Sequence, residues 1–200
     1  MKKILHIISS PRGAASFSIK LGNAIVEKIQ DHYPDSTLKE TNLVSKKFPH
    51  LEEAHLASFF TPAESRTPEN LAAIKHSEEA IQEIMDADVI VLGAPLYNFS
   101  IHSSLKAWID HIARAGITFK YDENGPQGLI KNKKVYLALS SGGIYSDGPM
   151  KSFDFAEPYL KSVLGFLGMT DVTSVRVEGT SIPGLQDTAL QKGIDSIQIN

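Results

Sequence analysis

The sequence predicts an α/β fold built on a five-stranded, doubly wound parallel sheet. Three observations carry this. Short aliphatic, β-branched runs such as Ile4 to Ile8, Val89 to Leu92 and Val135 to Leu139 have the length and composition of buried strands. Longer segments between them repeat their apolar residues at helical spacing. The two kinds alternate along the chain, the order that generates a parallel sheet with helices on both faces. The stretch from Asp88 to Phe99 organises the rest: a buried strand breaks into Pro95, Leu96, Tyr97, Asn98 and Phe99, and a helix follows at once.

In chain order, residues 3–9 form a first strand in which His6 sits among Ile4, Leu5, Ile7 and Ile8, a histidine read as structural or turned toward one helix layer. After a loop through Ser9, Ser10, Pro11 and Arg12, Ser16 leads a helix to about residue 32, with Phe17, Leu21, Ala24, Ile25 and Ile29 as its stripe. Residues 38–43 give a second strand, near an edge because Lys39 and Glu40 interrupt it. Residues 44–66 contain Pro49, Pro62 and a small apolar patch, and read as irregular with one helical turn or more. Thr67, Pro68 and Glu69 start the next helix as cap, N1 proline and first-turn acid. After the central strand, residues 103–114 form a helix with Leu105, Trp108, Ile109 and Ile112 on one side, and Asp110 and Arg114 read as a surface ion pair. Residues 117–121 and the turn at 122–126 suggest a hairpin or arm. A strand at 133–140, a helix at 157–166 ended by Gly168, a strand at 172–177 and a closing helix at 183–197 complete the chain. The strand count fits a single flavodoxin-like three-layer sandwich over residues 1–200, with sheet order 2-1-3-4-5 taken by analogy with that fold; the most apolar strands are the first, third and fourth, which agrees with strand two at one edge.

Composition narrows the chemistry. The chain is 42% hydrophobic and 22% charged, an ordinary globule, and its formal charge of −3 argues against nucleic acid. It has no cysteine, hence no disulfide, thiolate nucleophile or iron–sulfur cluster. No His-x-x-x-His pair, Gly-x-Ser-x-Gly elbow or acid–base pair stands out, so no metal ligand and no catalytic side chain is assigned. That pattern suits a cofactor that carries its own reactivity. The apolar run at 4–8 is too short for a signal peptide and no run could span a bilayer, so the expectation is a cytoplasmic protein without membrane contact.

Three loops follow the inner strands, on the edge where open α/β sheets bind ligands. In the first, Ser10, Ser16 and Ser18 cluster at a helix N-terminus, which suits a phosphate monoester, with Arg12 adding charge. Ser16 equally suits a plain helix cap. In the second, Leu96, Tyr97, Asn98 and Phe99 offer flat apolar surface beside an amide; they suit either a wall for a conjugated ring or a turn whose aromatics plug the core. In the third, Ser140, Ser141, Gly142 and Gly143 suit either close backbone approach to a heterocycle, with unusual dihedrals, or a simple turn.

Ala94, Pro95 and Tyr97 to Phe99, then Ala113 to Gly116 with Thr118 and Phe119, Glu123 to Pro126, Gly142 to Ile144, Asp147 to Pro149 and Leu164 to Phe166 together resemble the FMN-dependent NADH-azoreductases, a branch of the flavodoxin-like NAD(P)H quinone reductases. The resemblance runs almost end to end. It implies FMN at the interface of a homodimer, the phosphate held by Ser10 and by Ser16, Phe17 and Ser18, and the ring flanked by residues 96–99 and 140–143. It further implies ping-pong transfer of two electrons from NADH or NADPH to quinones and azo compounds, the latter cleaved to amines. Tyr121, Tyr145 and Phe166 match substrate-pocket positions, Tyr121 and Phe166 reaching across the dimer, and the amphipathic helices bearing Trp108 and Phe166 are expected interface elements because their exposed sides retain small and apolar residues. The chain departs from the family pattern at Leu96, where Met is frequent, Ser141, where Arg is frequent, and Tyr145, where His occurs, and it carries about three extra residues between Gly148 and Tyr159. These positions bear on acceptor range and nucleotide preference. A general flavin or quinone reductase with incidental azo activity, and a flavodoxin-like electron carrier, stay open as alternatives.

Overall fold

The sheet is a consequence of where the sequence concentrates aliphatic residues. In the computed structural model, which describes residues 1–199, β1 (Lys3–Ile8), β3 (Val89–Pro95) and β6 (Lys134–Ser140) occupy its centre. Each carries an almost unbroken buried run, because both faces are covered. β2 (Thr37–Asn42) lies at one edge, exposed apart from Thr41, and β7 (Asp171–Val177) at the other. All neighbours pair parallel in the order β2-β1-β3-β6-β7. A separate antiparallel hairpin, β4 (Phe119–Asp122) and β5 (Gly125–Gly128), accounts for the numbering, so this is the expected 2-1-3-4-5 topology.

Alternation along each strand divides the core in two. Ile4, Val91, Tyr136, Ala138 and Val175 face α1 (Phe17–His32) and α7 (Gln186–Asp195). Leu5, Ile7, Leu92, Leu137 and Leu139 face α4 (Pro68–Asp86), α5 (Ser103–Ile112) and α6 (Ala156–Leu167). His6 is buried on the α1 side, where Gly22 leaves room for its ring: a Cβ there would come within 2.5 Å of Nε2. Burial lowers the basicity of this histidine. Among the described residues no helix is long and apolar enough to cross a membrane.

Three expectations change. Residues 44–66 are largely helical: α2 (Leu43–Lys46) is capped by the Asn42 side chain, α3 (Glu53–Phe60) starts at Glu52, and α3 packs on α4. Asp110 and Arg114 do not form a surface pair. Asp110 binds Lys106 at 2.5 Å, whereas Arg114 is buried at 2% exposure, donates to Glu78 Oε1 at 2.6 Å and lies over the Phe59 ring. The chain leaves the helix after Ile112, so helical i,i+4 geometry does not reach Arg114. Trp108, at 1% exposure, belongs to the core, and the outward side of α5 carries Ser103, Lys106 and Asp110, which are polar.

The hairpin is fixed by contact between two backbones. A Cβ on Gly128 would lie 2.1 Å from the Gly168 nitrogen, at the left-handed residue that ends α6, and the Ile130 N–H donates to the Leu167 carbonyl at 3.0 Å. Gly128→Ala should therefore lower stability by about 1–3 kcal/mol in urea unfolding, since backbone cannot step aside as a side chain can. Gly165→Ala, with open space at its Cβ inside α6, should hold or raise stability, by up to about 1 kcal/mol.

Candidate functional site

All three loops meet at the carboxyl edge of β1, β3 and β6. A narrow cleft of about 70 Å³ is lined by Ser10, Arg12, Ser16, Phe17, Leu96, Tyr97, Ser140, Ser141 and Gly142, with Pro95 and Thr180. Beside it opens a groove of about 700 Å³ with Tyr97 and Asn98 on one wall and His102, Lys106 and Tyr159 on the other. The cleft alone is below the roughly 300–1,000 Å³ of an organic-ligand site, and the groove brings the space into that range.

At the first loop, Ser16 is the N-cap of α1: its Oγ accepts from the Ile19 N–H at 3.4 Å and lies 3.0 Å from Ser18 Oγ. The Phe17 and Ser18 N–H groups have no partner among the described residues. Two free amides at the positive end of a 16-residue helix lie with the Ser10 and Ser16 hydroxyls and the Arg12 guanidinium, a set of donors and positive charge that suits an anion. Ser18 does not line the cleft; its buried side chain supports Ser16 from behind.

The second loop is a two-residue turn of the I′ kind. Tyr97 and Ser100 exchange both backbone hydrogen bonds, at 2.9 and 3.0 Å, while Asn98 and Phe99 between them have φ of +47° and +70°. Asparagine tolerates this region; a bulky residue there is an outlier. The Leu96 N–H donates to the Ser140 carbonyl at 2.8 Å and the Phe155 N–H to the Phe99 carbonyl at 3.0 Å, so the turn is held from both sides. Phe99 is 42% exposed and Tyr97 half-buried, which favours the wall over the core plug. The Asn98 side-chain amide has no partner among the described residues.

The third loop turns its carbonyls inward. Those of Ser141, Gly142 and Gly143 accept from the Thr180, Ser181 and Gly179 N–H groups at 3.3, 3.0 and 3.1 Å. The Gly142 and Gly143 N–H groups have no partner among the described residues and remain as donors. Neither glycine has a positive φ, contrary to the expected unusual dihedrals. At Gly142 the constraint is space, because a Cβ would lie 2.8 Å from Ser181 Oγ.

Of the remaining expected residues, Tyr145 joins this site, its ring 6.4 Å from that of Phe99. Tyr121 and Phe166 do not. They pack with Phe119 on the hairpin and α6, Tyr121 at 69% exposure. Sequence reading missed Thr180, and passed over His102, which caps α5 through Nδ1 and lines the groove. It also missed a charged cluster behind the loops. There Arg176 binds Asp154, Glu157 and Glu178. Burial pushes the Glu157 carboxyl up, but hydrogen bonds from Lys161, Ser174 and Arg176 and the Arg176 charge outweigh it and bring it down to about 2.

The profile of the family described as the flavodoxin-like fold matches residues 2–198. The chain is similar to an FMN-dependent NADH:quinone oxidoreductase of Herminiimonas arsenicoxydans, 50% identical over 91% of this chain and 89% of the relative. It is also similar to one of Rhizobium leguminosarum bv. trifolii (strain WSM2304), 45% identical over 100% and 96%. Among solved structures it resembles an azoreductase from Bacillus anthracis str. Sterne with a TM-score of 0.90, 31% identity and coverage of 98% and 96%. An FMN-dependent NADH-azoreductase from Bacillus anthracis str. Ames Ancestor, in complex with FMN, matches with a TM-score of 0.87, 30% identity and coverage of 98% and 95%.

The Glu157 value sets an acid limb. Its folded pKa lies below the ordinary 4.5, so its contribution is present above about 4.5 and is lost as pH falls toward about 2. Urea midpoints measured across that window should fall less steeply for Glu157→Gln than for the parent.

Proposed function

The chain belongs to the flavodoxin-like family that includes the FMN-dependent NADH:quinone oxidoreductases and NADH-azoreductases, and from that membership we propose that it is an FMN-dependent oxidoreductase passing two electrons from NADH to quinones and azo compounds. The observation that carries the reading is the meeting of anion-suited donors at the α1 N-terminus with the unpartnered amide of Gly142 in one cleft, the unpartnered amide of Gly143 being the next along the loop. A flavin mononucleotide has a phosphate at one end and a flat, hydrogen-bonding ring at the other, and these two features fit it. FMN, when bound, would supply the redox chemistry by taking hydride from NADH and delivering it to the acceptor.

The protein's own residues bind and orient. Ser10, Ser16, Arg12 and the Phe17 and Ser18 amides would hold the phosphate. Leu96, Tyr97, Asn98 and Phe99 would wall the ring on one side, and Ser140, Ser141, Gly142 and Gly143 on the other. The two glycine amides would donate to the ring edge, favouring its electron-rich state. The Asn98 amide would set its orientation. Donor and acceptor would use the open groove in turn, which gives ping-pong kinetics and leaves acceptor choice to groove residues, Tyr145 among them.

A homodimer is part of the reading. Two aromatic patches lie open on the surface, one of Phe99, Tyr145 and Phe153 at the ring loops and one of Phe119, Tyr121 and Phe166 at the hairpin. Tyr121, Phe153 and Phe99 are 69%, 44% and 42% exposed, which supports burial of these patches against a second copy. Tyr121 and Phe166 would then roof the partner's site.

Anaerobic stopped-flow tests the reading. NADH should bleach the flavin of the purified holoprotein, and a quinone or azo dye should restore it. Apoprotein that takes up no FMN would overturn the proposal. Asn98→Gly, which keeps the turn and removes the amide, should weaken FMN binding by about tenfold, as loss of a hydrogen bond or two would. Equal FMN affinity would remove Asn98 from its role. Sedimentation should give a dimer, and replacing Tyr121 and Phe166 with Ala should change the ratio of quinone to azo turnover.

A further inference from the structure

We propose that Arg176 is a positioning residue that locks both ring-flanking loops in register through one guanidinium. The inference rests on the FMN reading above and adds to it a residue whose side chain hydrogen-bonds to no residue of either loop.

Arg176 lies near the end of β7 with its side chain 18% exposed. Its Nη1 donates to Glu178 Oε1 at 3.2 Å, and its Nη2 to Asp154 Oδ2 at 2.5 Å and to Glu157 Oε2. Each carboxylate has a second task. Glu178 accepts from the Tyr145 and Ser146 N–H groups at 2.7 and 2.9 Å, fixing the continuation of the third loop. Asp154 accepts from the Ala156 and Glu157 N–H groups at 3.0 and 3.1 Å, capping α6, and thereby fixes Phe155 between them. The Phe155 N–H in turn donates to the Phe99 carbonyl, inside the strained turn of the second loop. Glu157 is tied to β7 by Ser174 Oγ.

The guanidinium therefore joins two short hydrogen-bond chains, one ending at Tyr145 and Ser146 and the other at Phe99. A planar fork with five donors in fixed directions serves three carboxylates, whereas an ammonium has three donors and no planar fork. Without the cation, three carboxylates face one another in a partly buried space and repel, so both chains loosen together.

The test uses the parent, Arg176→Lys, Arg176→Met and Glu178→Gln, each as apoprotein and after FMN reconstitution. In the apoprotein, amide hydrogen exchange at Tyr145, Ser146 and Phe155 should speed up in Arg176→Met while the β1, β3 and β6 amides keep parent rates. In the FMN titration the dissociation constant should rise about tenfold for Arg176→Met and less for Arg176→Lys, with a changed visible circular dichroism of the bound flavin. Arg176→Met combined with Glu178→Gln should lose no more FMN affinity than Arg176→Met alone. Should Arg176→Met fail to fold, Arg176→Lys and Glu178→Gln carry the same comparisons. The clamp is overturned if the variants that fold exchange these three amides at parent rates, or bind FMN with parent affinity and parent dichroism. Variants that show the exchange pattern, with a parent that takes up no FMN, would instead sink the functional reading and leave the structural clamp standing.

Discussion

The site depends on one constraint: two consecutive residues with side chains, Asn98 and Phe99, are held at positive φ directly after the central strand. Conformations of this kind cost about 1–3 kcal/mol each and persist only where the surroundings over-determine them. Here the surroundings do. The turn is closed by the Tyr97–Ser100 pair, tied to β6 by Leu96 and tied to the start of α6 by Phe155. With glycine at position 99 the turn would be easier to form, but it would lose its exposed aromatic wall. The strain is thus the cost of placing a ring and an amide side by side on a two-residue turn.

The sheet was legible because its signal is redundant. β1, β3 and β6 are each buried on both faces, so nearly every position had to be aliphatic, and no other element could use such a run at that length. The edge position of β2 was legible for the opposite reason, since Lys39 and Glu40 cannot occupy a central strand. The starts of α1 and α4 could be read from Ser16 and Thr67, whose side chains do cap those helices. The loops of the site could be located for the same reason as the strands: each begins where an aliphatic run stops.

What could not be read depends on contacts between residues far apart in sequence. Arg114 looked like a surface residue because its partner, Glu78, lies 36 positions away on α4. The helices within 44–66 were hidden because their start and packing come from side chains such as Asn42 and from α4 rather than from a long apolar stripe. Arg176 drew no notice because two of its three carboxylates, Asp154 and Glu157, lie 22 and 19 positions away on another segment. The role expected of Tyr121 and Phe166 rests on family resemblance alone, because nothing within this chain brings them to the cleft; they pack with Phe119 instead.

A grip made of backbone has a consequence for which substitutions the site tolerates. At the third loop the carbonyls of Ser141, Gly142 and Gly143 are used up on the 179–181 segment, and the amides of the two glycines that remain do not depend on the side chain at 141. At the first loop two of the anion donors are likewise amides, of Phe17 and Ser18. On the proposed reading, the departures from the family pattern expected at Leu96, Ser141 and Tyr145 would therefore leave the donors for a bound ring and phosphate in place. They alter instead the shape and polarity of the space beside it, where Tyr145 meets Phe99. On the proposed reading, cofactor binding and acceptor choice would then be carried by different parts of the same loops, and the second could vary while the first is kept.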